Sequence, residues 1–277
     1  MKRPPLLITA SLDAGNTPYV ALSAKSDRTE AHMQGLLAWL GDPSIEKVVF
    51  VKNCSARIRS EVLVATARKY GKELEFVQVV PSKRTAIQGK GYGEGDLIRQ
   101  ALEKSEVLRG STDFMKSTGK LFCSGTGGIF SGECEGEFFV SRHVHKEDFM
   151  PIRRMLCPLY KSQRGSRALG FLKRRMRIPW GLVASAPGAL VDTRLYRVNR
   201  DFYSDVLLHS YRRVQDGLGY TMERAFHDDL MGHSSSVRML EISLPIIGTS
   251  GSLGTTAGEF SEEVRLEARE LAQRLVA

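Results

Sequence analysis

Three short apolar runs, spaced by helical patterns, constrain this chain more than any other feature. Leu6–Ser11, Glu46–Lys52 (Glu-Lys-Val-Val-Phe-Val-Lys) and Leu74–Val79 each have the length of a buried strand. Between the first two, Asp27 with Glu30 three residues on forms a capping-box signal for a helix through Leu40, ended by Gly41 and Pro43. Between the second and third, Ser55 is placed to cap a helix to Tyr70, with Gly71 as its stop. Alternating strands and helices predict a parallel sheet covered by helices, an α/β fold. Ligands of such sheets bind beyond the carboxyl ends of the strands, where the loops gather. Thr9–Ser11 and Asn53–Ser55 fall on that edge, as does the loop Lys83–Glu94.

That last loop opens the richest stretch of the sequence. Gln88-Gly-Lys90-Gly91-Tyr-Gly-Glu94-Gly-Asp96 leads into a helical pattern over Asp96–Leu108, then a strand over Lys116–Phe122 that includes Lys116, Thr118, Gly119 and Lys120. Turns need the glycines, but they do not need Lys90, Glu94, Lys116 and Lys120 as well. A nucleotide lying across Thr9, Ser11 and Asn53 would bring its phosphates near Lys90, Gly91, Lys116 and Lys120. Two further clusters stand out. Val191-Asp192-Thr193-Arg194 and Asp216–Glu223 offer Asp192 and Glu223 as general bases or metal ligands, since deprotonating a hydroxyl needs a carboxylate within hydrogen-bond reach. Glu223, two residues after Thr221, fits equally well a first-turn acid favoured by the helix dipole. Gly248-Thr-Ser250-Gly251-Ser252 is a run of small residues whose backbone N–H groups suit a phosphate.

The remaining pattern predicts a loop over Ser124–Gly136 and a strand over Glu137–Ser141. Helices are expected at Phe202–Gln215 and Thr221–Leu230, and an amphipathic one over Glu259–Val276. No internal repeat and no long linker divides the 277 residues, which predicts one domain over 1–277. Within it, residues 1–122 are the expected nucleotide-binding half and 123–277 the second half, which holds Asp192 and Glu223. Four scattered cysteines with no C-x-x-C pair fit reduced core residues in a cytosol. The N-terminal apolar run is too short for a signal peptide, and no segment approaches the roughly 20 apolar residues of a membrane span. A cytoplasmic location follows as an expectation. The net charge of +9 is concentrated: nine Lys or Arg and no acid lie between Phe149 and Pro179. Such a patch attracts a phosphorylated acceptor, an anionic membrane face or nucleic acid. Few aromatics and no recognition motif accompany it, so nucleic acid is not expected. No P-loop, G-x-S-x-G elbow or dinucleotide fingerprint is present.

Lys90-Gly-x-Gly-Glu94, Lys116-x-Thr-Gly-Lys120, Val191-Asp-Thr-Arg194 through Glu223, and Gly248-Thr-Ser-Gly-Ser252 occur in an order that resembles bacterial surface-polysaccharide glycosyltransferases, which act in capsule, O-antigen and lipopolysaccharide assembly. The resemblance spans most of the chain through short motifs. It departs from the family where Lys52 and Cys54 interrupt an expected acid-Asn-Ser string, and where Lys120 stands for a more usual Arg. It implies a GT-A-like fold with a Rossmann-type sheet, and transfer of a sugar from a nucleotide-activated donor to a glycan or a lipid-diphosphate-linked acceptor, with contact at the inner membrane face. Glu94, Asp192 or Glu223 would orient or deprotonate the acceptor. Folds of this kind often hold Mg2+ or Mn2+ with an Asp-x-Asp pair, which this sequence lacks. Lys116, Lys120 or Arg194 would then neutralise the leaving diphosphate. A sugar nucleotidyltransferase is the rival enzyme on a similar sheet.

Overall fold

The computed structural model describes residues 3–12, 24–53, 58–126, 138–144, 189–218, 220–233, 235–240, 245–249 and 258–276. The chain opens as expected, with β1 (Leu6–Ala10), α1 (Lys25–Gly41), β2 (Lys47–Lys52), α2 (Ser60–Lys69) and β3 (Glu73–Gln78). The short α3 (Thr85–Gln88), then α4 (Lys90–Lys104) and α5 (Glu106–Arg109), lead to β4 (Asp113–Thr118) and β5 (Leu121–Cys123). Beyond them lie β6 (Phe138–Val144), β7 (Ala189–Asn199), α6 (Met222–Leu230), β8 (Val237–Leu240), β9 (Ile246–Gly248) and α7 (Glu262–Val276). Seven strands form one sheet in the order β3-β2-β1-β4-β7-β6-β8, and β5 pairs separately with β9. Within the seven-stranded sheet, the pairs β2–β3, β1–β2, β1–β4 and β6–β8 are parallel and β7 runs against its neighbours; β5 and β9 are antiparallel. The result is the α/β architecture expected, a mostly parallel central sheet flanked by helices.

Strands β1 and β2 are apolar along most of their length because both faces of the sheet are covered there. Successive side chains point to opposite faces. Leu6, Ile8, Val48 and Phe50 join Leu36, Trp39 and Leu63 in one core, together with Leu271 and Leu275 of α7. Leu7, Val49 and Val51 join the other core, which holds Leu97 and Ile98 of α4 with an aromatic group of Tyr196, Tyr203 and Phe226.

Several boundaries differ from the sequence expectation. α1 starts before Asp27, at an Ala24 N-cap with no side-chain cap, so Asp27 and Glu30 do not form the expected box. The glycine-rich stretch is the first two turns of α4 rather than a loop ahead of it. The expected strand Lys116–Phe122 breaks at a turn over Gly119 and Lys120. Phe202–Gln215 is no regular helix. Asn199 caps a three-residue turn by accepting from the backbone of Asp201 and Phe202, each at 3.0 Å. A π turn over Tyr203–Leu207 and a 3-10 turn over Ser210–Arg213 follow. The polar run Val191–Arg194 lies inside the long strand β7.

Candidate functional site

Parallel pairing of β1 with β4 places Thr9 beside Thr118 at the carboxyl edge of the sheet. α4 carries Glu94 over that pair. The Oε1 atom of Glu94 accepts from the hydroxyls of Thr9 and Thr118, each at 3.1 Å, and from the ammonium of Lys116. Lys116 is 1% exposed and also donates to the Thr193 carbonyl at 2.6 Å. Tyr196, its cross-strand neighbour, lies with its ring centroid 5.7 Å from the same ammonium. Burial raises the pKa of the Glu94 carboxyl, but Lys116, Lys90 and the Thr118 hydroxyl outweigh it, and the group is held below the ordinary carboxylate range. Glu94 is therefore ionised and occupied.

The glycines of the motif make close packing possible. A methyl group at Gly95 would overlap Tyr211 and lie 2.6 Å from Met222 Cε. One at Gly93 would lie 2.7 Å from Thr85 Cγ2. Gly89, at φ +105°, leaves room for the Asp216 carboxylate, which accepts from the Gly91 backbone N–H at 2.9 Å. Asp216 thus caps the start of α4 from 125 residues away. Burial pushes its carboxyl up to about 6, against the opposing pull of the Gly91 bond and of Lys90. The sequence offered only its place in the string Asp216–Glu223 as a signal, and Asp216 went unselected.

Lys120 stands on the turn after β4. It is 4% exposed, and its ammonium has no hydrogen-bond partner among the described residues. The backbone beneath it is clamped. Gly119 donates to the Thr9 carbonyl at 2.9 Å, and a methyl group on Gly119 would lie 2.6 Å from His32 Nδ1. Gly35 presses on the Gly119 carbonyl, and Gly248, at φ +116°, presses on that of Lys120. Gly248 lies in β9, so it packs on the turn that holds Lys120; Ser250, Gly251 and Ser252 lie outside the described residues. Burial, and then the positive charges of Arg28 and Lys90, pull Lys120 down to about 8 despite the nearby Glu94. Arg28, which has no sequence signal beyond its place on α1, donates from Nε to the Ser11 carbonyl at 2.9 Å. At the end of β2, the buried Asn53 has an Oδ1 with no partner among the described residues, and so does the Thr85 hydroxyl after β3. Orphaned buried polar groups are rare and mark places that a ligand or water completes.

The two other expected bases part company. Asp192, 4% exposed, is gripped by its neighbour Arg194 at 2.8 and 2.6 Å. It lies near Cys123, whose thiol burial, and next Asp192, pushes up to about 11. Glu223, on the first turn of α6, accepts from the Thr193 hydroxyl at 2.9 Å. Through Thr193 it joins the Lys116–Glu94 pair. Other acids on α4 and α6 are ion-paired: Asp96 binds Arg99, Asp228 binds Arg224 and Asp229 binds Arg213. Glu133, Glu135 and Glu137 lie outside the described residues, as do Cys54, Cys134, Cys157 and the basic stretch 149–179. Among the described residues, no three His, Cys, Asp or Glu side chains are placed to share a metal ion. No helix among them is long and apolar enough to cross a membrane.

No protein-family model and no curated protein sequence matches the chain. Solved structures do. Galactosyltransferase LgtC, determined with donor and acceptor sugar analogues, superposes over 99% of this chain and 96% of its own, with a TM-score of 0.51 at 8% identity. A Bacillus anthracis protein assigned as a glucose-1-phosphate thymidylyltransferase, in complex with sucrose, matches over 97% of this chain and 95% of its own, with a TM-score of 0.50 at 11% identity. The fold is the Rossmann-like type found among GT-A glycosyltransferases and nucleotidyltransferases.

Proposed function

We propose that this chain is a nucleotide-sugar-dependent glycosyltransferase. One observation carries the reading: at the carboxyl edge of the parallel strands, a buried lysine with no hydrogen-bond partner among the described residues lies near an ion-paired carboxylate, Glu94, which is linked through Lys116 and Thr193 to a second, Glu223. The lysine suits the anionic end of a donor. Of two proteins that share this fold, one is a galactosyltransferase and the other is assigned as a glucose-1-phosphate thymidylyltransferase.

The two carboxylates take different parts. A base is weakened by every donor that stabilises its ionised form. Glu94 has three donors on one oxygen, so it serves to fix Lys116, Thr9 and Thr118. Glu223 accepts from one neutral hydroxyl, that of Thr193, among the described residues, and takes the part of base. In the proposed step, the acceptor oxygen bonds to the anomeric carbon, its proton passes to Glu223, and the bond from that carbon to the phosphate oxygen breaks. The nucleoside diphosphate leaves toward Lys120 and Lys90. Asp192 keeps Arg194 in place. Residues 1–122 would hold the donor and 123–277 the acceptor. The cationic stretch 149–179 suits an acceptor with a lipid diphosphate at an anionic membrane surface, in bacterial surface-polysaccharide assembly.

Thermal-shift screening against UDP-, GDP-, CMP- and dTDP-linked sugars tests the reading, since a ligand that binds the native state stabilises it by mass action. Glu223→Gln is expected to fold and bind donor while losing transfer by about 100-fold or more. Wild-type turnover in that variant would remove Glu223 from the role. Release of pyrophosphate from a nucleoside triphosphate, in place of nucleoside diphosphate from a nucleotide sugar, would favour the nucleotidyltransferase reading that the Bacillus anthracis fold match raises.

A further inference from the structure

Lys120 is unusual in both geometry and chemistry. The turn that carries it is closely packed: Gly248 approaches the Lys120 carbonyl, Gly35 approaches the carbonyl of Gly119, and Gly119 lies against Thr9 and His32. Its ammonium is buried without a partner among the described residues. The charged and titratable groups facing it are Arg28 and His32 from α1, and Lys90 and Glu94 from α4. His32 does not help: burial, then Lys120 and Arg28, hold it well below its ordinary value, so it is neutral. Glu94 is engaged by Lys116. Among the charges acting on the Lys120 ammonium, two cations, Arg28 and Lys90, outweigh one carboxylate, Glu94.

We propose that Lys120, flanked by Arg28 and Lys90, seats the diphosphate of a nucleotide and takes up a proton from solvent as that anion enters. The inference rests on the nucleotide-sugar reading and adds to it a proton linkage. Without ligand, burial and two neighbouring cations hold the amine near its midpoint in mildly alkaline solution, pulled down to about 8. A doubly charged phosphate at hydrogen-bond distance reverses that balance, because an opposite charge favours the ionised amine. The terminal phosphate of a nucleoside diphosphate has its last ionisation near pH 6, so above about pH 8 the ligand has no proton of its own to give or take. An uptake measured there comes from the protein.

The experiment is calorimetric titration of the full chain with UDP, GDP, dTDP and CMP, in buffers of different ionisation enthalpy at pH 7, 8 and 9. The slope against buffer enthalpy counts protons. Expected for the wild type is an uptake of about 0.1 proton per ligand at pH 7, about 0.5 at pH 8 and about 0.9 at pH 9, with affinity about 10-fold weaker at pH 9 than at pH 7. Lys120→Arg keeps a charge that does not titrate in this range, so it is expected to bind nucleotide with no uptake. Lys120→Met is expected to lose affinity by about 10-fold or more and to lose the uptake as well. Nucleotide binding without proton uptake, or uptake unchanged in Lys120→Met, would overturn the inference and leave the nucleotide reading standing. No binding of any of the four nucleotides would sink that reading, and the inference with it.

Discussion

Replacing Lys120 by Met should make the protein more stable, which is uncommon for a change at a buried site. Lys120 is 4% exposed and its ammonium has no hydrogen-bond partner among the described residues, so folding strips its water without returning a hydrogen bond from them. Its pKa falls from 10.5 to about 8, and at about 1.4 kcal/mol per pH unit this corresponds to about 3 kcal/mol. The sign follows from proton counts. Between about pH 8 and 10.5 the unfolded chain binds the proton and the folded chain does not, so stability rises with pH across that window. Below pH 8 the full penalty is present, and above about 10.5 it is gone. Met has nearly the same length and no charge to bury. Urea unfolding of Lys120→Met near pH 7 should therefore give a gain of about 2–3 kcal/mol, or roughly 3–5 °C in Tm for a chain of this size. The gain should shrink toward zero near pH 10. A variant that is less stable than wild type at pH 7, or a gain that is the same at both pH values, would refute the reasoning. Either result would mean that the ammonium has a partner or reaches water.

Other perturbations test the packing and the charge pairs. Gly95→Ala should destabilise by about 2–4 kcal/mol, because its methyl group meets Tyr211 and Met222; Gly91→Ala, where the nearest atoms are 3.1 Å away, should cost far less, and urea midpoints of the pair would show the gradient. Glu94→Gln should lower stability by about 3–5 kcal/mol by leaving the Lys116 ammonium buried without its counter-charge, whereas Glu223→Gln should change stability little. Comparing the two by chemical denaturation separates the positioning carboxylate from the proposed base. Asp216 holds its proton more tightly in the fold, at about 6 against an ordinary 3.8, so it contributes stability that is fully present below about pH 4 and is lost as pH rises through 6. Asp216→Asn should remove about 3 kcal/mol of that decline, read as a smaller difference between urea midpoints at pH 4 and 7 than in wild type.

The strand–helix alternation through β3 and the closing helix were legible in the sequence, because a strand buried on both faces must be apolar at nearly every position and a helix on a sheet must show one apolar face. Glu94, Lys116, Thr118 and Lys120 were legible as a group because they fall on one helix–strand return. Their partners were not. Glu94 meets Thr9 across 85 residues and Gly91 meets Asp216 across 125, and no local pattern records such a meeting. Strand β7 escaped because Asp192, Thr193 and Arg194 look like loop chemistry until the Asp192–Arg194 pair is seen to satisfy itself.

By itself, the sequence determined the sheet and the supply of charge at its edge. Tertiary packing decided which charges are free to act. Glycines that read as turn residues became contact points for Thr85, Tyr211 and Asp216. Lys116 found Glu94, while Lys120, one turn farther on, found no partner among the described residues. Hydropathy and spacing depend on neighbours in the chain, but the state of a buried charge depends on what surrounds it in space.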